Sequence, residues 1–202
     1  MSMLTLAETK SCCYLAYDAN SGQRYKFQGG AIWEVIDAWA TMFTGFKAIL
    51  IRPAATPGRA VLAYAGTDSV RDVLADGAQV VGVLPIQYPQ ALGLANRCSR
   101  LYPSLQLCGH SLGGGLAAYA SVRTGLPAST VNPAPLVAGA SLSAWFGSHP
   151  QIVNYIAGGS EVVSSSPGRN PGTQVNVPGS GNFFTRHSLA NTAPGIALPT
   201  PA

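Results

Sequence analysis

The chain has 202 residues, 47% of them apolar and only 10% charged, a composition that excludes intrinsic disorder and suits a single domain. Its formal net charge of +4 comes from a shortage of acids, and Lys and Arg are scattered singly, which excludes the basic track that a nucleic acid would need. No charge-free apolar run approaches the roughly 18 residues of a membrane span. The first residues, "MSMLTLAETKSCCYLAYDAN", also lack the basic start of a signal peptide, so a cytoplasmic protein or one exported by a signal-peptide-independent route is expected.

Thr5 with Glu8 reads as a capping box that opens a helix running to about Ala16. "SGQRYKFQGG" is loop-like, and "AIWEVIDAWATMF" carries Ile32, Val35, Ile36 and Trp39 at helical spacing, predicting a second helix. Two apolar runs around "PAATPG" in "FKAILIRPAATPGRAVLAYAG" predict a strand pair. "SVRDVLADG" is a short amphipathic segment, and "IQYPQALGLANRCSRLY" reads as a helix. "SLQLCG" is a short buried strand, followed at once by the helix "LGGGLAAYASVRTG", which Gly125 ends. "ASTVNPA" and "QIVNYIAG" are two further strands; "TQVNVPGSGNFFTRHSL" is a strand, a loop and the start of a helix. Residues 191–202 form a proline-rich tail, pinned to the surface or frayed, on one domain spanning 1–202. Strands alternating with helices predict an α/β fold with a mostly parallel central sheet flanked by helices. Cys12, Cys13, Cys98 and Cys108 have neither CxxC nor zinc spacing and read as reduced core thiols, so no metal is expected.

The chemistry is concentrated in "LCGHSLGGGLAAYA", where Ser111 stands between Gly109 and Gly113. In a chain with 23 glycines the motif alone carries little weight, but here it falls between a predicted strand and a predicted helix. That turn strains the backbone of a nucleophilic serine and leaves no room for Cβ atoms on the flanking glycines. It also sets the serine at the positive end of the following helix, where amide N–H groups meet a developing oxyanion. Of three histidines, His110 adjoins Ser111 and reads as a packing residue, and His149 precedes a strand and so falls at the far edge of the sheet. His187 lies in a late loop, where the chain order serine, acid, histidine wants the base. Between Ser111 and the C-terminus the sequence contains one acidic residue, Glu161, placed just past a predicted strand where a carboxylate can orient the imidazole.

Four segments then resemble, in order, the fungal-type, class 3 lipase family of α/β-hydrolases: "VLAYAGTDSVRDVLADG", "LCGHSLGGGLAAYA", "STVNPAPL" and "NYIAGGSEVV…TRHSL". The resemblance implies an α/β-hydrolase fold and oxyanion donors at Thr67 and Leu112. It also implies a lid in "SVRDVLADGAQVVGVLP", with Val70, Val73, Leu74 and Val80 as its apolar face; the same segment equally fits a helix covering the core. Ala65 stands where the family has an arginine, and Glu161 where it usually has an aspartate. The expected activity is serine-dependent hydrolysis of acyl esters of lipids, lipase or phospholipase A type, through Ser111, His187 and Glu161 and an acyl-enzyme, with no cofactor. An acyltransferase or thioesterase on the same residues and a non-catalytic lipid-binding domain are the alternatives. The expected partner is a lipid or other acyl ester at a membrane surface, joined by a cognate inhibitor or immunity protein if the chain is an exported effector.

Overall fold

In "KAILIRP" and "RAVLAY" nearly every residue is apolar, the pattern of strands covered on both faces, and both lie within one extended sheet. The structure, a computed structural model, describes residues 2–66, 80–136 and 151–202, the side chains of 80–85 excepted. The helices are α1 (Leu6–Leu15), α2 (Val80–Leu101) and α3 (Leu112–Thr124). The strands are β1 (Arg24–Lys26), β2 (Ile32–Ala40), β3 (Lys47–Pro53), β4 (Arg59–Tyr64), β5 (Ser104–His110), β6 (Ala128–Val131), β7 (Ile152–Ala157), β8 (Thr173–Val177) and β9 (Thr200–Pro201). Among the described residues nine strands form one sheet in the order β8-β7-β6-β5-β4-β3-β2-β1-β9. The run from β4 to β8 is parallel, as the alternation of elements predicts, and β3, β2, β1 and β9 extend it antiparallel.

Alternate residues of each strand feed two cores. Leu50, Leu62, Tyr64, Leu105 and Leu107 pack with Leu116 and Ala117 of α3 and with Ala91 and Ala95 of α2. Ile49, Ile51, Val61, Ala63 and Cys108 point to the other face, against Cys12, Cys13 and Leu15 of α1. The four cysteines are free and buried. Among the described residues no helix is long and apolar enough to cross a membrane.

The helix expected over "AIWEVIDAWATMF" is instead the long strand β2. Its register against β3 shifts between Val35 and Asp37, a β-bulge that leaves Ile36 as the extra residue. The bulge reverses which face each later side chain takes, so Trp33 and Val35 join one core while Ile36 and Trp39 pack on the other. A broken period of two thereby imitates a period of 3.6, and aromatic and β-branched side chains favour the strand.

The first helix keeps its predicted bounds to within a residue. Its capping box is formed, with the Thr5 amide donating to Glu8 Oε2 at 2.8 Å and the Glu8 amide to Thr5 Oγ1 at 3.2 Å. The segment before Ser188 makes only a single 3₁₀ turn, Thr185–His187, where the start of a helix was expected. The tail is pinned rather than frayed. β9 pairs with β1, and the buried Lys10 ammonium donates to the carbonyls of Ala193 (3.1 Å) and Ile196 (2.9 Å).

Candidate active site

The parallel strands deliver four loops to one edge of the sheet. Ser111 follows β5, Asn132 follows β6, Glu161 follows β7 and His187 follows β8. Ser111 lies at φ 58°, ψ −128°, a region that L residues rarely adopt, between the end of β5 and the first turn of α3. The elbow is held by its own backbone: the Ser111 carbonyl accepts from the amides of Gly114 (3.0 Å), Gly115 (3.2 Å) and Ala134 (2.8 Å). A Cβ on Gly109 would stand 2.1 Å from the Gly113 carbonyl oxygen, and one on Gly113 2.2 Å from that of Tyr64. Backbone atoms cannot yield that much room, so both glycines are required by contact rather than by conformation. The Leu112 amide opens α3, where the first turn leaves its N–H groups without intrahelical acceptors.

Glu161 and His187, whose separation would favour a non-catalytic domain, are in contact. His187 Nδ1 lies 2.6 Å from Glu161 Oε2, and both side chains are buried. Glu161 also accepts from the amides of Val163 (3.0 Å) and Ser164 (2.5 Å). Burial raises the carboxyl pKa, yet the hydrogen bond and charge of His187, with the Ser164 and Val163 donors, outweigh it and hold the group below the usual value. Because an ionised carboxylate only accepts, Nδ1 carries the proton and the neutral ring has its lone pair on Nε2. That nitrogen is buried and has no hydrogen-bond partner among the described residues.

Sequence reasoning treats His110 as packing, but it bridges two parts of the site. Its Nε2 lies 2.7 Å from the His187 carbonyl oxygen, its Nδ1 lies 2.9 Å from the Tyr17 hydroxyl, and its ring centroid is 4.7 Å from that of His187. A carbonyl only accepts, so His110 donates from Nε2 and its Nδ1 accepts from Tyr17. Asn132 lies within "STVNPAPL", where the sequence gives it no role of its own. At φ 44° it donates through Nδ2 to the carbonyls of His187 (3.1 Å) and Arg186 (3.2 Å) and to Thr192 Oγ1 (2.9 Å), while its Oδ1 accepts from the Ala157 amide (2.9 Å). It ties the loop that carries His187 to the end of β7. The sequence signal is faint: an asparagine just past a buried strand, a residue type that tolerates positive φ.

Thr67, Val70, Val73, Leu74 and His149 lie outside the described residues, as does the side chain of Val80. Ala65 is buried at the end of β4, its amide donating to the Lys47 carbonyl at 3.0 Å. Gly66 brings the chain leading to Thr67 against the elbow, since a Cβ there would stand 3.0 Å from that of Ser111.

His110 has a measurable consequence. Burial first, then the neighbouring His187 charge, lowers its pKa to about 3, only partly offset by the His187 carbonyl and the Glu161 carboxylate. The unfolded chain therefore binds a proton that the folded chain refuses, starting near the ordinary value of 6.5. This contribution to stability is complete above that pH and declines toward about 3 by at most about 1.4 kcal/mol per pH unit. His110→Gln, whose amide can still donate to the His187 carbonyl, should flatten this limb in urea titrations run across the acid range. Parallel limbs for the two proteins would mean that His110 is not held neutral by its surroundings.

A family model described as a Tle-like phospholipase domain matches residues 25–144. The extracellular phospholipase A1 of Serratia liquefaciens is 45% identical over 75 residues, which are 37% of this chain and 24% of that enzyme. The matched stretch is thus about a quarter of that relative's length. Among solved structures, a triacylglycerol lipase from Penicillium expansum superposes with a TM-score of 0.61 at 13% identity, covering 94% of this chain and 86% of its own. The propeptide complex of Rhizomucor miehei lipase gives 0.59 at 16% identity, covering 84% and 64%. At such identities the likeness establishes the fold, that of the lipase α/β-hydrolases.

Proposed function

The chain belongs to the Tle-like phospholipase domain family, and we propose that it is a serine hydrolase cleaving acyl esters of lipids, phospholipids foremost. The observation that carries the reading is the buried 2.6 Å contact between His187 and Glu161, at the same sheet edge as a serine on a strained, glycine-flanked turn. Ser111 Oγ attacks the ester carbonyl carbon while His187 Nε2 takes its proton. The resulting oxyanion is met by the Leu112 amide and by Thr67, and the imidazolium is held by the Glu161 carboxylate. Collapse expels the alcohol, the lysophospholipid in a phospholipid, which takes its proton from His187. Water, deprotonated by the same nitrogen, then cleaves the acyl-enzyme and releases the fatty acid. The Serratia relative's description as a phospholipase A1 supports this substrate class over neutral glyceride.

The test is to incubate the protein with phosphatidylglycerol vesicles, with a triacylglycerol emulsion and with a short-chain soluble ester, and to measure fatty acid, lysophospholipid and acyl transfer to added alcohol. Fatty acid and lysophospholipid in equal amounts from the vesicles are expected. Dominant acyl transfer would replace the hydrolase by a transferase. An absence of turnover on all three would overturn the proposal.

A further inference from the structure

Two fully exposed apolar side chains, Met42 (99%) and Phe43 (102%), stand side by side at the tip of the β2–β3 hairpin. Single exposed apolar residues are ordinary on a protein surface, but this pair is presented by a braced turn. The Thr41 amide donates to the Phe46 carbonyl (2.9 Å), the Gly45 amide to the Thr41 carbonyl (3.0 Å), and Thr44 Oγ1 to Gln90 of α2 (3.1 Å). Gln87 of α2 donates to the Thr44 carbonyl, and Phe46 is buried beneath the turn. The tip is thereby fixed with its apolar groups turned outward.

Sheet register tells which way it points. Ala40 pairs with Lys47 and Ala48 with Tyr64, while Tyr64 pairs with Gly109, so the tip lies at the edge where β5 delivers Ser111. On the other side of Ser111 along that edge, the loop between β8 and His187 exposes Phe183 (41%) and Phe184 (65%). The Phe183 carbonyl accepts from the Val162 amide (3.3 Å), next to Glu161. Apolar side chains thus flank the nucleophile from both directions along one edge.

We propose that the Met42–Phe43 tip is a membrane anchor that inserts into the surface of a phospholipid bilayer, seating the Ser111 edge on its substrate. The proposal rests on the lipid-hydrolase reading. A protein covering both apolar pairs would also cover the nucleophile, whereas a bilayer that does so supplies the ester. The chain's net charge of +4 complements an anionic phospholipid surface. The braced turn lowers the ordering cost of insertion, and the Met and Phe side chains supply the apolar contact.

The experiment measures co-sedimentation with vesicles of equal parts phosphatidylcholine and phosphatidylglycerol. It uses Ser111→Ala protein, so that binding is read without hydrolysis. The double variant Met42→Ser, Phe43→Ser should lose at least about tenfold in partitioning. In the Ser111 background the same pair should leave hydrolysis of a short soluble ester unchanged. Leu101→Ser is the control, since Leu101 is 71% exposed but precedes Ser104, at the opposite sheet edge. It should bind vesicles as the parent does. Unchanged partitioning of the tip variant, or an equal loss from Leu101→Ser, overturns the anchor. Failure of the parent to hydrolyse the vesicle lipid, the soluble ester and a triacylglycerol emulsion alike would instead strike the hydrolase reading, leaving a tip-dependent vesicle affinity to stand by itself.

Discussion

Ser111→Ala is expected to lower ester turnover by about 10⁶-fold while leaving the melting temperature close to that of the parent. The rate falls because the nucleophile is lost, and residues that act as one unit do not substitute for each other. The fold survives because the elbow is held by backbone groups. The Ser111 amide donates to the Val131 carbonyl at 3.2 Å and its own carbonyl accepts three amides, none of which involves the hydroxyl. Alanine carries the same Cβ into the same φ of 58°, so the strain of the turn is unchanged. A purified variant that melts normally and retains most of its activity would remove Ser111 from the reaction.

Glu161→Gln should reduce turnover by about 10²–10⁴-fold, less than loss of the serine, because the carboxylate orients and stabilises without reacting. The two carboxylate oxygens accept from His187 Nδ1 and from the amides of Val163 and Ser164. Oε2 serves both His187 Nδ1 and the Val163 amide, and Oε1 serves the Ser164 amide, whereas a glutamine has one acceptor oxygen. In either orientation its NH₂ group therefore faces at least one of these donors, which loosens the loop that orients His187. The charge that holds the imidazolium is lost as well. The sign of the stability effect follows from the same contacts. The folded-state pKa of Glu161 lies below the ordinary 4.5, so its contribution is present above that value and disappears as pH falls through the lowered one. The stability gap between parent and variant should therefore close on acidification below about 4.5. An undiminished rate in Glu161→Gln would move the search for the acid to Asp68 and Asp76, which lie outside the described residues.

The elbow was legible in sequence because its requirement is steric and local: small residues at two fixed positions around a serine, between an apolar strand and a helix. The pairing of Glu161 with His187 was legible because Glu161 is the one acid in the sequence after Ser111. β2 has the periodicity of a helix because one bulged residue, Ile36, shifts the faces of everything after it, and periodicity in one sequence cannot distinguish a bulge from a helical turn. The clamp around His187 was invisible for another reason. Tyr17 and Asn132 act on the site through hydrogen bonds that span 93 and 55 residues of sequence, and such contacts exist only once the sheet has brought the loops to one edge. The exposed hairpin tip gave no sign either, since Met42 and Phe43 look like the end of an apolar run until the turn shows which way they face.

Covalent labelling reads most directly whether Ser111 is the nucleophile of a single acylating site. The parent protein, treated with a fluorophosphonate and analysed by intact-mass and peptide mass spectrometry, should carry one adduct, on the peptide containing Ser111. Ser111→Ala should carry none under the same conditions, and Glu161→Gln should label far more slowly. An adduct on a different residue, or equal labelling of Ser111→Ala and the parent, would contradict the account.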